Sequence, residues 1–404
     1  MDRPVSAFTS GGLKRVSLFT LLGFLSVFAP FSTDMYLPAF SQMAAEMSTE
    51  VKNVQLSLAV FFLGLALGQF IYGPLSDRWG RRRPLMIGLI VYILASFFMI
   101  ETKEISTFNA LRFIQALGGC AGMVVARAVI RDGCDLKSSA KVFTIVMAIQ
   151  AVGPVAAPVI GAYIVNITHW SAIFKILSCL GLACLCGSFV VLAESLPEKY
   201  RLRQSPFEII KGFASLASCR EFIVPALAGG LGGGALFAFI SGSSFILIEL
   251  HGVNKTAYGW IFGLVSLGVS LAAQSNLWLL KKYSARKVYT SGLFCTLILS
   301  SLLLVLLSFT SVASLYFFLV LVFLALSPCP LIYANTTALA MAASKQNIGA
   351  ASSLVGVIHF GAASLSSLAV SFFHDGSARP MALVMIGSAL SALMVSWFNR
   401  HGQV

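Results

Sequence analysis

The sequence predicts an all-α membrane protein whose twelve transmembrane helices form two six-helix bundles. Three observations predict this fold class: an apolar composition, apolar runs of membrane-spanning length along the whole chain, and basic residues concentrated in alternate turns. Of the 404 residues, 58% are hydrophobic and 11% are charged, and the mean hydropathy is +0.88. A soluble chain carries roughly a quarter charged residues. Lipid must therefore solvate most of this surface.

Twelve apolar runs are long enough to cross a bilayer, since a spanning helix needs about 20 mainly apolar residues. The first follows Lys14 and Arg15 and is too long for a typical signal peptide, so we expect it to remain as an uncleaved helix. In chain order, spans 1 to 12 are predicted at residues 16–40, 52–75, 84–101, 107–131, 140–165, 170–193, 222–248, 256–280, 287–308, 312–336, 347–373 and 379–399.

The basic residues test this count of spans. With both termini in the cytoplasm, 21 of the 28 lysines and arginines fall in cytoplasmic segments, whereas the opposite turns hold Lys52, Lys103, Lys255 and Arg379. Cytoplasmic loops of membrane proteins are enriched in basic residues. The split predicts an even number of spans in a bacterial inner membrane. It also argues against nucleic-acid binding as the reason for the +13 net charge.

The longest polar interval lies at mid-chain and predicts the domain boundaries. We assign residues 1–194 to the first six-helix bundle, 195–221 to a cytoplasmic linker and 222–404 to the second bundle. In the linker, Phe207, Ile210 and Phe213 form part of an apolar stripe among basic residues. This pattern predicts an amphipathic helix on the inner leaflet.

The turn between spans 2 and 3 reads GPLSDRWGRRRPL, from Gly73 to Leu85. Its acid, Asp77, must face a partner other than lipid. That partner is either the group formed by the arginines of the turn and Asp132 at the foot of span 4, or the N-terminus of a helix, where an anion is favoured. Such a cluster could latch one conformation and break in another. The predicted latch residues are Gly73, Asp77, Arg78, Gly80, Arg81 and Asp132.

Asp34 lies well inside span 1, towards its outer end. An ionisable residue within a membrane span is by default a candidate functional residue, and a carboxyl group can take up and release a proton. Arg112 in span 4 lies at a similar predicted depth and is the natural partner, with Gln115 on the same helix face. Two alternatives stay open: Asp34 as an acid that snorkels at a helix end, and the pair as a purely structural ion pair.

Span 5 contains Gly153, Pro154, Pro158 and Gly161, which lie on one helix face. The two prolines permit a bend, and the glycines let another helix approach closely. Ordinary packing by small residues explains Gly161 well but explains the Gly-Pro pair less well.

These motifs together resemble the major facilitator superfamily. The arginine turn is similar to the family's loop between spans 2 and 3, LRFIQALGG (Leu111–Gly119) to its span-4 motif, and VGPVAAPVIG (Val152–Gly161) to its span-5 antiporter motif. TDMYLPAF (Thr33–Phe40) and GAASSLVGVIHFG (Gly349–Gly361) resemble the drug:proton antiporters of the Bcr/CflA, or bicyclomycin-resistance, subgroup. The resemblance implies the major facilitator fold and an export function.

The resemblance also implies that spans 1, 4, 5, 7, 8, 10 and 11 line a substrate cavity. His359 stands where the family pattern predicts an amide, and it is either a second titrating group or, as we favour, a hydrogen-bonded interior residue. Phe237 and Asn276 are further candidates. The predicted cavity residues are Tyr36, Gln115, Gln150, Asn335 and His359.

We therefore expect a monomeric multidrug or metabolite exporter driven by proton antiport with alternating access. Its expected partners are a small-molecule substrate, protons and the bilayer. We expect no metal or other cofactor, since Cys184 and Cys186 have no nearby metal-ligand pattern. The alternatives are a proton-coupled importer of a nutrient and a dedicated siderophore exporter. We find no catalytic constellation in the spans that would favour an enzyme.

Overall fold

The computed structural model describes residues 13–133, 136–201, 205–309, 314–344 and 348–398. This part of the chain contains twelve helical segments long and apolar enough to cross a membrane, and it contains no β-strand. Both chain ends, which we predicted to be cytoplasmic, lie outside the described residues. The helices of the spans are Leu13–Asp34, Val51–Trp79, Arg82–Met99, Ile105–Gly133, Leu136–Ile167, Ser171–Val191, Arg220–Ser244, Lys255–Leu279, Ala285–Phe309, Leu315–Leu326 with Cys329–Ala343, Ile348–Phe372 and Arg379–Phe398.

The predicted number of spans is confirmed, but two spans differ from the prediction. The helix of span 1 ends at Asp34, and the chain continues through a 3₁₀ turn, Leu37–Ala39, into a short helix, Phe40–Glu46. Pro38 lies in that turn, and it lacks the N–H that a continuous helix needs. Span 10 is broken before Pro328 and extends to Ala343, well beyond its predicted end.

Span 2 packs against span 4 in its own half and against span 11 in the other half. A side chain at Gly64 would collide with the backbone of Phe113, and one at Gly68 would collide with Cys120. Spans 5 and 8 also pack together. The first and last six spans therefore meet along two helix pairs.

The linker helix spans Pro206–Ser218 and begins with a capping box between Ser205 and Glu208. The predicted amphipathic helix is therefore present. Phe213 is buried and stacks on Phe70 of span 2, with ring centroids 4.7 Å apart. The side chain of Phe207 is 75% exposed. The helix thus packs one edge on the bundle and leaves apolar side chains open, as a membrane-surface helix would.

The ends of the bundle differ in charge. We call the end that holds Trp79, Arg82, Arg131 and Ile348 the basic face, and the end that holds Asp34 and Val51 the opposite face. Apolar side chains on the outside of the helices are exposed, as lipid contact requires. The chain is a multi-pass membrane protein.

Candidate functional site

Asp34 is the last residue of the first helix, and its side chain is 3% exposed. The hydroxyl of Thr33 lies 2.8 Å from Asp34 Oδ1 and can donate to it. Among the described residues, Asp34 and Asp132 are the two buried acids. Asp132 is paired with Arg81, whereas Asp34 forms no ion pair within the described part of the chain. Burial of an unpaired carboxylate is costly.

Arg112 is not the ion-pair partner of Asp34, contrary to our expectation. It is fully buried, and its Nη2 donates to the carbonyl oxygen of Ser32 at 2.9 Å. Its Nη1 donates to Gln115 Oε1 at 2.5 Å. The guanidinium also lies 4.4 Å from the ring centroid of Tyr36 and 4.2 Å from that of Phe61. Aromatic faces and backbone therefore hold this cation in place of a carboxylate.

Hydrogen bonds extend this arrangement across spans 1, 3 and 4. Gln115 Nε2 donates to Ser96 Oγ at 2.8 Å, and Ser32 Oγ lies 2.7 Å from the hydroxyl of Tyr92. Tyr36 is also buried and shares a hydrogen bond of 2.8 Å with Ser57. Tyr36 and Gln115, predicted to line the cavity, are thus packed in the core of the first half.

The span-5 motif lies beside the chain that follows Asp34. A side chain at Gly153 would contact Pro30, and one at Gly161 would collide with the carbonyl group of Met35. Both prolines of the motif lie inside the continuous helix Leu136–Ile167. The carbonyl of Pro158 faces Gly259 of span 8. The motif therefore packs between span 1 and a helix of the other half.

Side chains join the two halves near the opposite face. Ser244 Oγ at the end of span 7 donates to the carbonyl of Leu37 at 2.6 Å. Ser371 Oγ in span 11 donates to the carbonyl of Lys52 at 2.7 Å. In a third hydrogen bond, Asn166 Nδ2 of span 5 donates to Thr256 Oγ1 of span 8 at 2.6 Å.

Two neighbouring cavities lie between the halves on the side of the basic face. The inner cavity, of about 300 Å³, is bounded by spans 4, 7, 10 and 11 and is lined by Arg127, Tyr333 and His359 among others. The outer cavity, of about 210 Å³, is lined by Arg127, Asp77 and other residues at the helix ends of the basic face. Arg127 lines both cavities.

The remaining predicted cavity residues lie in different surroundings. His359 and Phe237 line the inner cavity. Asn335 is buried, and its Nδ2 lies 2.7 Å both from Asn276 Oδ1 and from the carbonyl of Leu331. Gln150 is half-buried in span 5. Arg127 was not among the predicted site residues, although a charge within a membrane span is itself a signal of function.

The latch residues form a cluster at the basic face. Arg81 donates to Asp132 at 2.7 Å and to Asp77 at 2.5 Å, and a side chain at Gly349 would lie 3.1 Å from Asp77 Oδ2. Asp77 therefore lies at the N-terminus of span 11, where an anion is favoured. Burial lowers the pKa of Arg81, but the hydrogen bond and charge of Asp132 raise that pKa, and it lies above its usual value. Arg78, predicted to belong to this cluster, is exposed.

The turn around Arg81 depends on one residue that we did not predict. Glu194, just after span 6, accepts hydrogen bonds from the backbone N–H groups of Arg81 and Arg82, at 2.8 and 3.2 Å. Gly80 has a φ of 89°, which favours glycine, and a side chain there would collide with Glu194. Gly73 lies beside Ser353 of span 11, where a side chain would collide.

Known proteins share this architecture. The crystal structure of a bacterial homolog of the human lysosomal transporter Spinster, in an inward-facing and unoccupied conformation, superposes with a TM-score of 0.72. The match covers 96% of this chain and 97% of that one at 14% identity, which shows the fold alone.

Relatives are also found by sequence. YdgK of Bacillus subtilis (strain 168), described as an uncharacterized MFS-type transporter, is 31% identical over 384 residues, which are 94% of each chain. The bicyclomycin resistance protein homolog of Haemophilus influenzae is 30% identical over 388 residues, covering 95% of this chain and 96% of the relative. The family profile described as Major Facilitator Superfamily matches residues 22–367. With its twelve spans and its cavity between two halves, the chain belongs to the Major Facilitator Superfamily of membrane transporters.

Proposed function

We propose that the protein exports small drug-like molecules from the bacterial cytoplasm in exchange for protons. The basic face lies in the cytoplasm in this proposal, with both chain ends on that side and the monomer as the working unit. The relative named for bicyclomycin resistance supports a drug as substrate. Residues 1–194 and 222–404 are the two bundles that move against each other, joined by the linker 195–221.

The observation that carries proton coupling is the position of Asp34. It is a buried acid without an ion pair among the described residues, at the end of a helix whose continuation contacts the other half through Leu37 and Ser244. The C-terminal end of a helix disfavours a negative charge. A change in the packing around Leu37 therefore changes the surroundings of this carboxyl group.

Arg112 is a positioning residue in this proposal. Its bond to the carbonyl of Ser32 holds the last turn of the helix that ends at Asp34. The span-5 motif holds the chain from the other side through Gly161 and Met35. The carboxyl group can then exchange a proton while its backbone stays in place.

The transport cycle uses the two faces in turn. With the basic face open, substrate enters the cavity beside Arg127 while the bonds near the opposite face keep that side closed. Release of the proton from Asp34 and binding of substrate then favour opening on the opposite side. There, substrate leaves and Asp34 takes up an external proton. The cluster of Asp77, Arg81 and Asp132 holds one of the two arrangements.

The energy of one proton is sufficient for export. A membrane potential of about 100 mV supplies roughly 2.3 kcal/mol per charge, and one pH unit adds about 1.4 kcal/mol. Together they support a concentration gradient of a few hundredfold for a neutral substrate.

The test is uptake of labelled bicyclomycin, tetracycline and ethidium by inside-out vesicles with an acidic interior. We expect wild type to accumulate at least one of them and a protonophore to abolish the accumulation. Vesicles that contain Asp34→Asn at equal membrane abundance should show no accumulation. Vesicles with Glu101→Gln, which changes an exposed acid, should accumulate the compound as wild type does. Normal accumulation by Asp34→Asn would refute the assigned role. Uptake seen only in right-side-out vesicles would instead indicate an importer.

A further inference from the structure

Arg127 occupies an unusual position for a charged residue. It lies in span 4, about 9 Å along the helix from Gly133, and lines both cavities between the halves. Its Nε donates to the carbonyl of Met123 at 3.2 Å, and its Nη2 to Gln69 Oε1 at a long 3.4 Å. The described residues supply no acceptor for Nη1 and no carboxylate partner. A cation within a membrane span pairs with an acid or with backbone carbonyls, and here the carbonyl of Met123 bonds Nε alone.

The wall across the inner cavity is formed in part by the rings of Tyr333 and His359. The hydroxyl of Tyr333 and Nε2 of His359 are both buried and have no hydrogen-bond partner among the described residues. The two rings contact each other, with centroids 4.5 Å apart. A side chain at Gly233 would collide with the hydroxyl of Tyr333, and one at Gly229 would lie 3.1 Å from Nε2 of His359. These polar atoms therefore face span 7, and the two rings give the cavity an aromatic wall.

The rest of the inner cavity is apolar. Met123 and Phe237 belong to its walls, as do Val355 and Phe360. Of the residues that the structure describes, none that lines it is acidic, and the one acid that lines the outer cavity, Asp77, is already paired with Arg81. A passage lined by one sign of charge concentrates ligands of the opposite sign.

We propose that the inner cavity binds amphipathic organic anions, with a carboxylate on Arg127 and an apolar body against the aromatic and aliphatic walls. The inference rests on the proposed export function and names its substrate class. The guanidinium supplies the charge-assisted hydrogen bonds. The rings of Tyr333 and His359, which belong to the other half, form part of the wall at the far side of the ligand. A ligand bound in this way bridges the halves that must move.

The test is equilibrium binding of a matched pair of labelled probes, 1-naphthylacetate and its uncharged amide, to the purified full-length protein in detergent. The two probes have the same shape and differ in charge. We expect wild type to bind the carboxylate at least about tenfold more tightly than the amide. Arg127→Gln should reduce this ratio to within about twofold, and Arg127→Lys should give an intermediate ratio because lysine keeps the charge but loses the fork.

A second variant leaves Arg127 in place. Gln69→Glu puts a carboxylate where Gln69 Oε1 now accepts from Arg127, so it pairs with the guanidinium inside the protein. We expect it to lose the preference for the carboxylate probe even if Arg127→Gln does not fold. Arg83→Gln removes an exposed charge of the basic face that does not line either cavity, and it should keep the wild-type ratio.

Three outcomes would overturn the inference: equal binding of the two probes by wild type, a wild-type ratio in well-folded Arg127→Gln, or a wild-type ratio in Gln69→Glu. Proton-driven accumulation of bicyclomycin, which is uncharged, is measured on the same variants. If that transport persists while the charge preference is absent, the substrate class is wrong and the export function stands. If neither bicyclomycin nor 1-naphthylacetate accumulates in wild-type vesicles, the export function itself fails.

Discussion

The guanidinium of Arg112 donates to the carbonyl oxygen of Ser32 over 2.9 Å, two residues before the buried carboxyl of Asp34. The arginine of span 4 therefore acts on the acid of span 1 through the backbone of span 1. This differs from a direct ion pair in a testable way, because the geometry of the guanidinium becomes as important as its charge.

Arg112→Lys should accordingly reduce both stability and transport, although it preserves the charge. An ammonium group cannot bond to Ser32 and Gln115 in the same fork or lie flat against Tyr36 and Phe61. We expect the free energy of unfolding to fall by about 2–4 kcal/mol and proton-driven transport to fall by at least about tenfold. Thermal unfolding in detergent and vesicle uptake measure the two effects. Arg83→Lys, the same change at an exposed site, is the control. Wild-type behaviour of Arg112→Lys would contradict the positioning role.

Gly161→Ala should disrupt the chain after Asp34. A methyl group at this position would collide with the carbonyl of Met35, so span 5 or the turn must move. Overpacking of this kind costs about 1–3 kcal/mol. Gly361→Ala is the matched control, because a Cβ in that helix of span 11 meets nothing within 4 Å. It should be neutral or slightly stabilising. Equal melting temperatures for the two variants would show that the close approach is unimportant.

Asp132→Asn should destabilise the cluster at the basic face. It removes a charge that accepts from buried Arg81 at 2.7 Å, and loss of one partner of a buried ion pair costs about 3–5 kcal/mol. The double variant Arg81→Met with Asp132→Leu should recover part of that loss, because apolar groups then replace both charges. Thermal unfolding of Arg81→Met, Asp132→Leu and the double variant gives the coupling energy. Additive effects of the two substitutions would refute a direct interaction.

Glu194→Ala should weaken the start of span 3. The carboxylate accepts from the N–H groups of Arg81 and Arg82, which otherwise lack acceptors at the helix N-terminus. We expect a loss of about 1–3 kcal/mol in unfolding free energy, with a smaller loss for Glu194→Gln, which keeps an acceptor oxygen. Glu198→Ala, which removes an exposed pair with Arg201, should change stability little. A loss in Glu198→Ala as large as that in Glu194→Ala would argue against specific capping.

The sequence predicted the spans well because membrane insertion depends on local composition. The number of spans and most of their ends agree with the structure, while spans 1 and 10 differ where Pro38 and Pro328 interrupt the helix. A proline permits either a kink or a break, and neighbouring helices decide between the two. The pairing of Arg81 with Asp132 was also predictable, because the span order brings both residues to one face.

Longer-range partners were less predictable. Glu194 meets Arg81 across more than a hundred residues, and no pattern near either residue signals the contact. Arg112 was assigned a carboxylate partner because a buried cation normally needs one, yet the rings of Tyr36 and Phe61 lie on it instead. Which aromatic side chains face an arginine depends on helix rotation, and a uniformly apolar span gives no sign of that rotation.

By itself, the sequence determined that the protein spans a membrane and that it has twelve spans, a charged turn and an acid in span 1, because each of these follows from the polarity of consecutive residues. The tertiary structure alone decided that Asp34 lacks an ion pair among the described residues, that Arg112 holds the carbonyl of Ser32, and that Arg127 faces the cavity. These depend on how helices from distant parts of the chain rotate and approach one another. Packing sets those angles through contacts that a single span does not contain.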